Sequence, residues 1–209
     1  MSRDGVPLLA VAAVIVNFNA RDHLVECIRS LQADGVDDVV VVDNASSDGS
    51  EEALAGAGTD VRFLPTGSNL GFGTAANIGV AKTGADYVLI LNPDTIVEPG
   101  TVKALAAALD EDPRLAVVGP RIDNPDGTLY PSARQFPRLT DAVGHAFLGM
   151  VWRANPFTTR YRMLDWDHAQ PGPVDWVGGA CMLVRRTAFE QVGGFDPAYF
   201  MYVEDVDLC

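Results

Sequence analysis

Basic residues are scarce in this sequence. Only 15 Lys and Arg stand against 28 Asp and Glu, a formal net charge of −13 with the 3 His neutral. Neutralising a phosphate backbone needs the opposite balance, so no nucleic-acid partner is expected. Cysteine is scarce too. Cys27, Cys181 and Cys209 lie far apart, with no Cys-x-x-Cys pair and no Cys/His cluster. A zinc site or disulfide framework is not expected, a reducing compartment is the default, and the three thiols read as small buried apolar residues. No stretch reaches the ~18 apolar residues that a spanning helix needs. Work at a membrane would be done from its surface, or through a part outside this sequence. The apolar run from Val6 to Val16 comes nearest to a secretory signal, but Asn17 and Asn19 close it and no small-residue cleavage pattern follows. It reads as a short leader and a buried strand. What is plentiful is apolar: 48% of the 209 residues are hydrophobic and 21% charged, the composition of a globular domain with its own core.

Unbroken Val/Ile/Leu/Ala runs alternate with helical periodicities. Val11–Val16, Val39–Val42 and Tyr87–Leu91 read as buried strands, and Val61–Leu64 and Leu115–Val118 as two further strands. Between them, Leu24, Cys27, Ile28 and Leu31 recur at helical spacing until Gly35. Ser50–Ala57, Gly71–Lys82 and Pro99 to about Asp112 are the other predicted helices. This alternation predicts an α/β fold with a mostly parallel central sheet and helices on both faces. After Pro120 the texture changes. Asn124-Pro125-Asp126-Gly127 is a turn signal, and residues 131–173 read as loops and short helices in a mobile region. Val174–Val177 and Ala180–Val184 read as strands around Gly178-Gly179, and Thr187–Val192 as a short helix with Thr187 as its cap.

In an open parallel sheet, ligands bind beyond the carboxyl ends of the strands. Three predicted strands change there from aliphatic to polar: Asn17-Phe18-Asn19, Asp43-Asn44-Ala45-Ser46-Ser47-Asp48-Gly49 and Asn92-Pro93-Asp94. One such change is a strand meeting water; three on one edge make a crevice for a ligand. Gly71-x-Gly73-x-x-Ala76 formally matches a dinucleotide fingerprint, but it follows the third strand, and Asp43 lies upstream of it. Its glycines offer bare N–H groups to a phosphate, or they serve close packing.

Together with Val14-Ile15-Val16-Asn17-Phe18-Asn19, Asn69-Leu70-Gly71-Phe72-Gly73-Thr74-Ala75-Ala76-Asn77, Trp176-Val177-Gly178-Gly179-Ala180 and Gly194-Phe195-Asp196 with Phe200 to Leu208, these segments resemble the family 2 inverting glycosyltransferases of the GT-A fold, in their rhamnosyltransferase-like branch. The resemblance spans residues 11–209. It implies one Rossmann-like GT-A catalytic domain, 1–209, with a nucleotide-binding half at about 10–120 and an acceptor half at about 121–209. The final Glu204–Cys209 reads as the first turn of a helix that continues, so a C-terminally truncated domain is expected.

The implied reaction moves a sugar, L-rhamnose from dTDP-rhamnose, with inversion onto a polyprenyl-diphosphate-linked sugar in cell-wall or polysaccharide assembly. The enzyme would be cytoplasmic, with peripheral contact at the inner face of the membrane. By the same resemblance Asp43 reads the donor's pyrimidine base, a dTDP- or UDP-sugar, and Asn17, Asn19, Asn69, Gly71, Asn77 and Asn92 line the donor nucleotide. Asp94 holds a divalent cation, Mg²⁺ or Mn²⁺. Asn92 stands where the metal motif has its first acid, which leaves one carboxylate for a hard cation. Asp205 is the implied general base, with Glu204 assisting; on spacing alone the two acids would only favour a helix N-terminus. Gly178, Gly179 and Trp176 fall on the acceptor side, Trp176 either under the acceptor sugar or in the core. The alternative is a nucleotide-sugar-binding or nucleotidyltransferase-like α/β protein without transfer activity.

Overall fold

The computed structural model describes residues 10–136, 163, 166–168 and 170–209. Its centre is a six-stranded sheet in the order β3-β2-β1-β4-β10-β5. The strands are β1 (Val11–Asn17), β2 (Asp38–Asp43), β3 (Arg62–Pro65), β4 (Tyr87–Leu91), β5 (Val117–Val118) and β10 (Cys181–Arg185). β1 pairs in parallel with β2 and with β4, so Val14 stands between Val40 and Ile90. β2 carries β3 in parallel on its outer side. Two-stranded additions lie outside this sheet: β6 (Ile122–Asp123) with β7 (Leu129–Tyr130), and β8 (Ala133–Arg134) with β9 (Trp176–Val177).

Period-two alternation sorts the strand side chains into two cores. Ala13, Ile15, Val39, Val41, Leu89 and Leu91 face one way, onto α1 (Arg21–Ala33), α2 (Ser50–Ala57) and α4 (Thr101–Glu111). Val14, Val16, Val40, Val42, Val88 and Ile90 face the other, onto α3 (Phe72–Val80), Phe189 of α5 (Arg186–Val192) and Phe195. α1 buries Leu24, Cys27, Ile28 and Leu31, the stripe read from the sequence, and Gly35 turns the chain out of it at φ +88°. α3 lies close on the sheet because it is glycine-rich. A Cβ on Gly79 would meet Val14 Cγ1 and would stand 2.9 Å from Val42 Cγ2. α4 is held at its start by another helix: the Asp34 carboxylate, just past α1, accepts the Gly100 N–H and, at 2.8 Å, the Val102 N–H.

The α/β expectation is met, with helices on both faces of a mostly parallel sheet, and three details differ. The fifth strand shrinks to Val117–Val118 and does not lie beside β4, because β10 runs antiparallel between them, with Leu183 opposite both Leu89 and Val118. The apolar run named a strand but not its neighbour, and it is only partly covered: Leu115 is 38% exposed and Val117–Val118 are half-buried. Thr187 is not a cap: α5 begins at Arg186 and has no side-chain cap bond. Val61 and Val174 fall outside their strands. The Asn124–Gly127 signal is the turn between β6 and β7, closed by Asn124 N–H to Thr128 O at 2.7 Å. Of the expected loops over 131–173, residues 137–162, 164–165 and 169 lie outside the described residues, as do residues 1–9 of the expected leader.

Two glycines make opposite predictions. Gly79→Ala overpacks the α3–sheet contact and is expected to cost about 1–3 kcal/mol. Gly56→Ala, in α2 where a Cβ meets nothing within 4 Å, is expected to add about 0.4–1 kcal/mol. Urea denaturation midpoints of the two variants check both signs.

Candidate functional site

Parallel pairing brings the carboxyl ends of β1, β2 and β4 to one edge of the sheet. β10 joins them there because it is antiparallel: its first residue, Cys181, stands opposite Leu91, the last of β4.

At the first end, Asn17 is fully buried. Its Nδ2 donates to Asp43 Oδ1 at 2.7 Å and to Ser46 Oγ at 3.1 Å. Asp43 Oδ2 accepts the Ser46 N–H at 3.0 Å, so both carboxylate oxygens are fixed from inside the protein. Asn19 closes the two loops on each other. Its N–H donates to Ser46 Oγ and its Oδ1 accepts the Ser47 N–H, both at 2.9 Å. Asn19 and Ala45 hold left-handed φ values of 53° and 64°, which turn both chains sharply at the strand ends. Asn17 is thus turned inward, its Nδ2 holding Asp43, while its buried Oδ1 has no hydrogen-bond partner. Phe18 lies between the two asparagines in sequence and is 48% exposed. Sequence reasoning passed over it; the signal was an aromatic where an apolar strand gives way to Asn.

The glycine-rich segment is joined to β2 by Asn44, whose Nδ2 donates to Gly71 O at 3.1 Å. Asn69 Oδ1 accepts the Gly71 N–H at 3.0 Å, a local turn. Gly71 sits at φ +83°, where a Cβ would run into the Phe200 carbonyl, and the Phe72 N–H donates to that carbonyl at 3.2 Å. A Cβ on Gly73 would stand 2.8 Å from Phe195 Cβ. The absence of a Cβ at Gly71 and Gly73 lets α3 pack closely against residues 195–200. Asn77 is engaged by the protein's own backbone. Its Nδ2 donates to Phe195 O at 2.8 Å and its Oδ1 accepts the Phe195 N–H at 2.9 Å, clamping that loop to α3.

At the end of β4, the Asn92 N–H and Thr95 Oγ1 both donate to Ala180 O, at 3.0 and 3.2 Å. Asp94 is exposed beside them. One residue earlier, the Gly179 N–H donates to Asp205 Oδ2 at 2.9 Å. One earlier again, the Gly178 N–H donates to Ser132 O at 2.8 Å. The turn Gly178-Gly179-Ala180 thus joins the Asn92–Asp94 loop to the half-buried Asp205 of α6 (Glu204–Leu208). Before α6, Tyr202 and Val203 hold φ values of 68° and 74°. For a β-branched residue that is strained backbone, kept only where its surroundings fix it. Glu204 is 7% exposed and its Oε2 has no hydrogen-bond partner. Burial, with the Asp205 charge as a smaller contribution, pushes its carboxyl above the usual range. Trp176 belongs to the core: at 5% exposure, with its Nε1 donating to Gln135 O at 3.1 Å and the Arg134 guanidinium 5.0 Å over its ring, it has no free face for a sugar. Burial likewise pushes the Cys27 and Cys181 thiols up to about 12, which fits packing residues.

Among the described residues no group of three or more His, Cys, Asp or Glu could hold a metal alone. The donor set at the β4 end, the Asp94 carboxylate beside the neutral Asn92, fits a hard cation that arrives with phosphate oxygens rather than one resident in the protein.

The raised Glu204 carboxyl predicts a pH-dependent difference. The fold favours the protonated form, so that stability is fully present below the ordinary carboxyl value and is lost as pH rises through the raised one. Glu204→Gln removes the loss. Its melting temperature is expected to match the parent near pH 4 and to exceed it near pH 7; calorimetric scans at both pH values check this.

The chain matches the family described as Glycosyl transferase family 2 over residues 12–193. It is 44% identical, over 93% of its length, to an N-acetylglucosaminyl-diphospho-decaprenol L-rhamnosyltransferase of Mycobacterium tuberculosis and spans 67% of that protein. It is 31% identical to rhamnosyltransferase WbbL of Escherichia coli, over 95% of this chain and 75% of that one. Among solved structures, the mannosyltransferase PcManGT of Pyrobaculum calidifontis, in complex with GDP-Man and Mn²⁺, superposes with a TM-score of 0.65 at 17% identity. It covers 96% of this chain and 50% of its own. S. aureus TarS 1–349 in complex with UDP gives 0.62 at 16% identity, covering 96% of this chain and 54% of that one. The chain thus spans about half the length of these solved relatives. The superpositions identify the fold as GT-A, and the 12–193 match and the 44% identity agree with it. On these grounds the chain belongs to glycosyl transferase family 2.

Proposed function

We propose that this chain is the catalytic domain of an inverting sugar transferase that moves L-rhamnose from dTDP-rhamnose to a polyprenyl-diphosphate-linked sugar. One observation carries the reading of the site: the Asp205 carboxylate and the Asn92–Asp94 loop are bonded to successive residues, Gly179 and Ala180, at the sheet edge that also holds Asp43. A base and a phosphate-side acid so joined suit a reaction whose donor and acceptor must meet in line. The sugar and the lipid carrier rest on the printed name of the mycobacterial relative.

In this reading Asp43, fixed by Asn17 and Ser46, accepts a hydrogen bond from the donor's base, and the Phe18 ring offers it a stacking face. The acceptor hydroxyl gives its proton to Asp205 as its oxygen bonds to the anomeric carbon. The bond from that carbon to the diphosphate oxygen breaks, and its electron pair leaves on the nucleoside diphosphate. Attack from the face opposite the leaving group inverts the centre. A divalent cation held by Asp94 and the phosphates would neutralise charge growing on the leaving group. Glu204, buried directly before Asp205 in α6, is the assisting neighbour of that base.

Release of nucleoside diphosphate, measured across dTDP- and UDP-sugars with a prenyl-diphosphate N-acetylglucosamine acceptor, tests the proposal. dTDP-rhamnose is expected to turn over fastest, and EDTA to suppress turnover. Binding of nucleotide sugars with no transfer to any acceptor would support a binding protein instead. Asp205→Asn is expected to lower kcat by about 10²–10⁴-fold while nucleotide affinity holds. Asp43→Ala is expected to weaken nucleoside diphosphate binding by roughly 1.5–3 kcal/mol, read by titration calorimetry, with unchanged affinity removing Asp43 from the donor site.

A further inference from the structure

The β8–β9 pair carries a face that leads to Asp205. Arg134 pairs with Trp176, and two residues on the Gly178 N–H donates to Ser132 O at 2.8 Å. Side chains alternate along a strand, so Ser132 and Arg134 share one side with Trp176 and position 178. The Asp205 carboxylate lies on that side: its Oδ2 is 4.0 Å from where a Cβ on Gly178 would stand. Arg134 follows Ser132 by two residues of extended chain, about 7 Å.

Arg134 is also held in one orientation. Its guanidinium lies 5.0 Å over the Trp176 ring, and its Nε donates to Pro131 O at 2.8 Å. Trp176 is itself fixed, buried with its Nε1 bonded to Gln135 O. A guanidinium settled over an aromatic face loses little freedom on binding, and its planar fork suits a phosphate through two parallel N–H bonds.

Charge sets this residue apart. β8, β9, the Gly178–Ala180 turn and α6 contain one basic residue, Arg134. From Thr187 to Cys209 the chain has no Lys or Arg, while Glu190, Asp196, Glu204, Asp205 and Asp207 are acidic. Arg185 is at the far end of β10, bonded to Tyr87 Oη at the start of β4. Asp175, before Trp176, gives its Oδ2 to the Phe136 N–H at 2.8 Å. An anion approaching Asp205 meets like charge everywhere on these elements except at Arg134. In the function proposed above the acceptor is such an anion. Its sugar brings a hydroxyl to Asp205, and its diphosphate leaves from the other side of the same ring.

We propose that Arg134 binds the diphosphate of the acceptor. This rests on the function proposed above and names a residue that recognises the acceptor. The guanidinium takes the phosphate oxygens in its fork, the sugar ring spans from Arg134 to Asp205, and the protein thereby selects diphosphate-linked sugars over uncharged glycosides.

Titration calorimetry, with nucleoside diphosphate saturating, compares two soluble ligands: a short-chain prenyl-diphosphate N-acetylglucosamine and the matching prenyl glycoside without phosphates. The parent is expected to bind the diphosphate ligand about tenfold or more tightly than the glycoside. In Arg134→Gln that advantage is expected to shrink to about twofold or less, while affinities for the glycoside and for nucleoside diphosphate stay within about twofold of the parent. Arg134→Lys, which keeps the charge without the fork, is expected to recover part of the advantage. Equal losses for both ligands overturn the proposal and leave Arg134 a packing residue of Trp176. A parent that binds the two ligands equally, or binds neither, also overturns it. Weakened nucleoside diphosphate binding in Arg134→Gln overturns it in favour of the donor's diphosphate. A parent that binds the diphosphate ligand but transfers no sugar to it counts against the function proposed above; the comparison of the two ligands then still decides Arg134.

Discussion

The parallel pairing of β1 with β2 and with β4 is the constraint from which the rest follows. Parallel neighbours must end on the same side, so Asn17, Asp43 and Asn92 reach one edge without any contact having to draw them together. The pairing is kept in register by side chains buried on both faces. Val14 and Ile15 lie between Val40–Val41 and Ile90–Leu91, and a slip by one residue would exchange two complete apolar sets. Gly79 completes the arrangement by letting α3 approach Val14 and Val42, which brings its first turn to the same edge.

Antiparallel β10 supplies what parallel strands alone cannot. A parallel strand beside β4 would deliver its carboxyl end to the edge and start on the far side. β10 instead begins at the edge, so the residues before it, Gly178 to Ala180, are presented among the other strand ends. One reversed strand lets a distant part of the chain, with α6 behind it, complete a site whose other walls come from the first hundred residues.

The fold was largely legible in the sequence because burial leaves a direct mark. Val11–Val16 and Tyr87–Leu91 are apolar at every position, and such runs occur where both faces are covered. Strand order was less legible. Leu115–Val118 and Ala180–Val184 are apolar enough to be strands, but nothing in either says which one lies beside β4. Helix α4 shows the same limit, since its start is capped by Asp34 from another helix, a partner outside the reach of local patterns. At the site, residue types were legible and tasks were not. Asn17, Asn77 and Trp176 are polar or aromatic residues in the right segments, yet each is turned inward to hold another group: Asp43, the Phe195 backbone and the Gln135 carbonyl. Phe18 is turned outward beside Asp43. A sequence shows that a side chain can bond; which bonds it has already made depends on the fold.

The Gly178-Gly179-Ala180 turn works as a ruler. Its peptide groups are bonded in succession to Ser132, to Asp205 and to the Asn92–Thr95 loop. In the function proposed above these partners are the acceptor-side acid and the donor-side loop, and the turn ties both to adjacent residues of one short backbone segment. Consecutive Cα atoms across a trans peptide are about 3.8 Å apart, so the two anchor points stay close for as long as both sets of hydrogen bonds hold. Side chains around the cleft can vary to suit one sugar or another while this gauge stays constant.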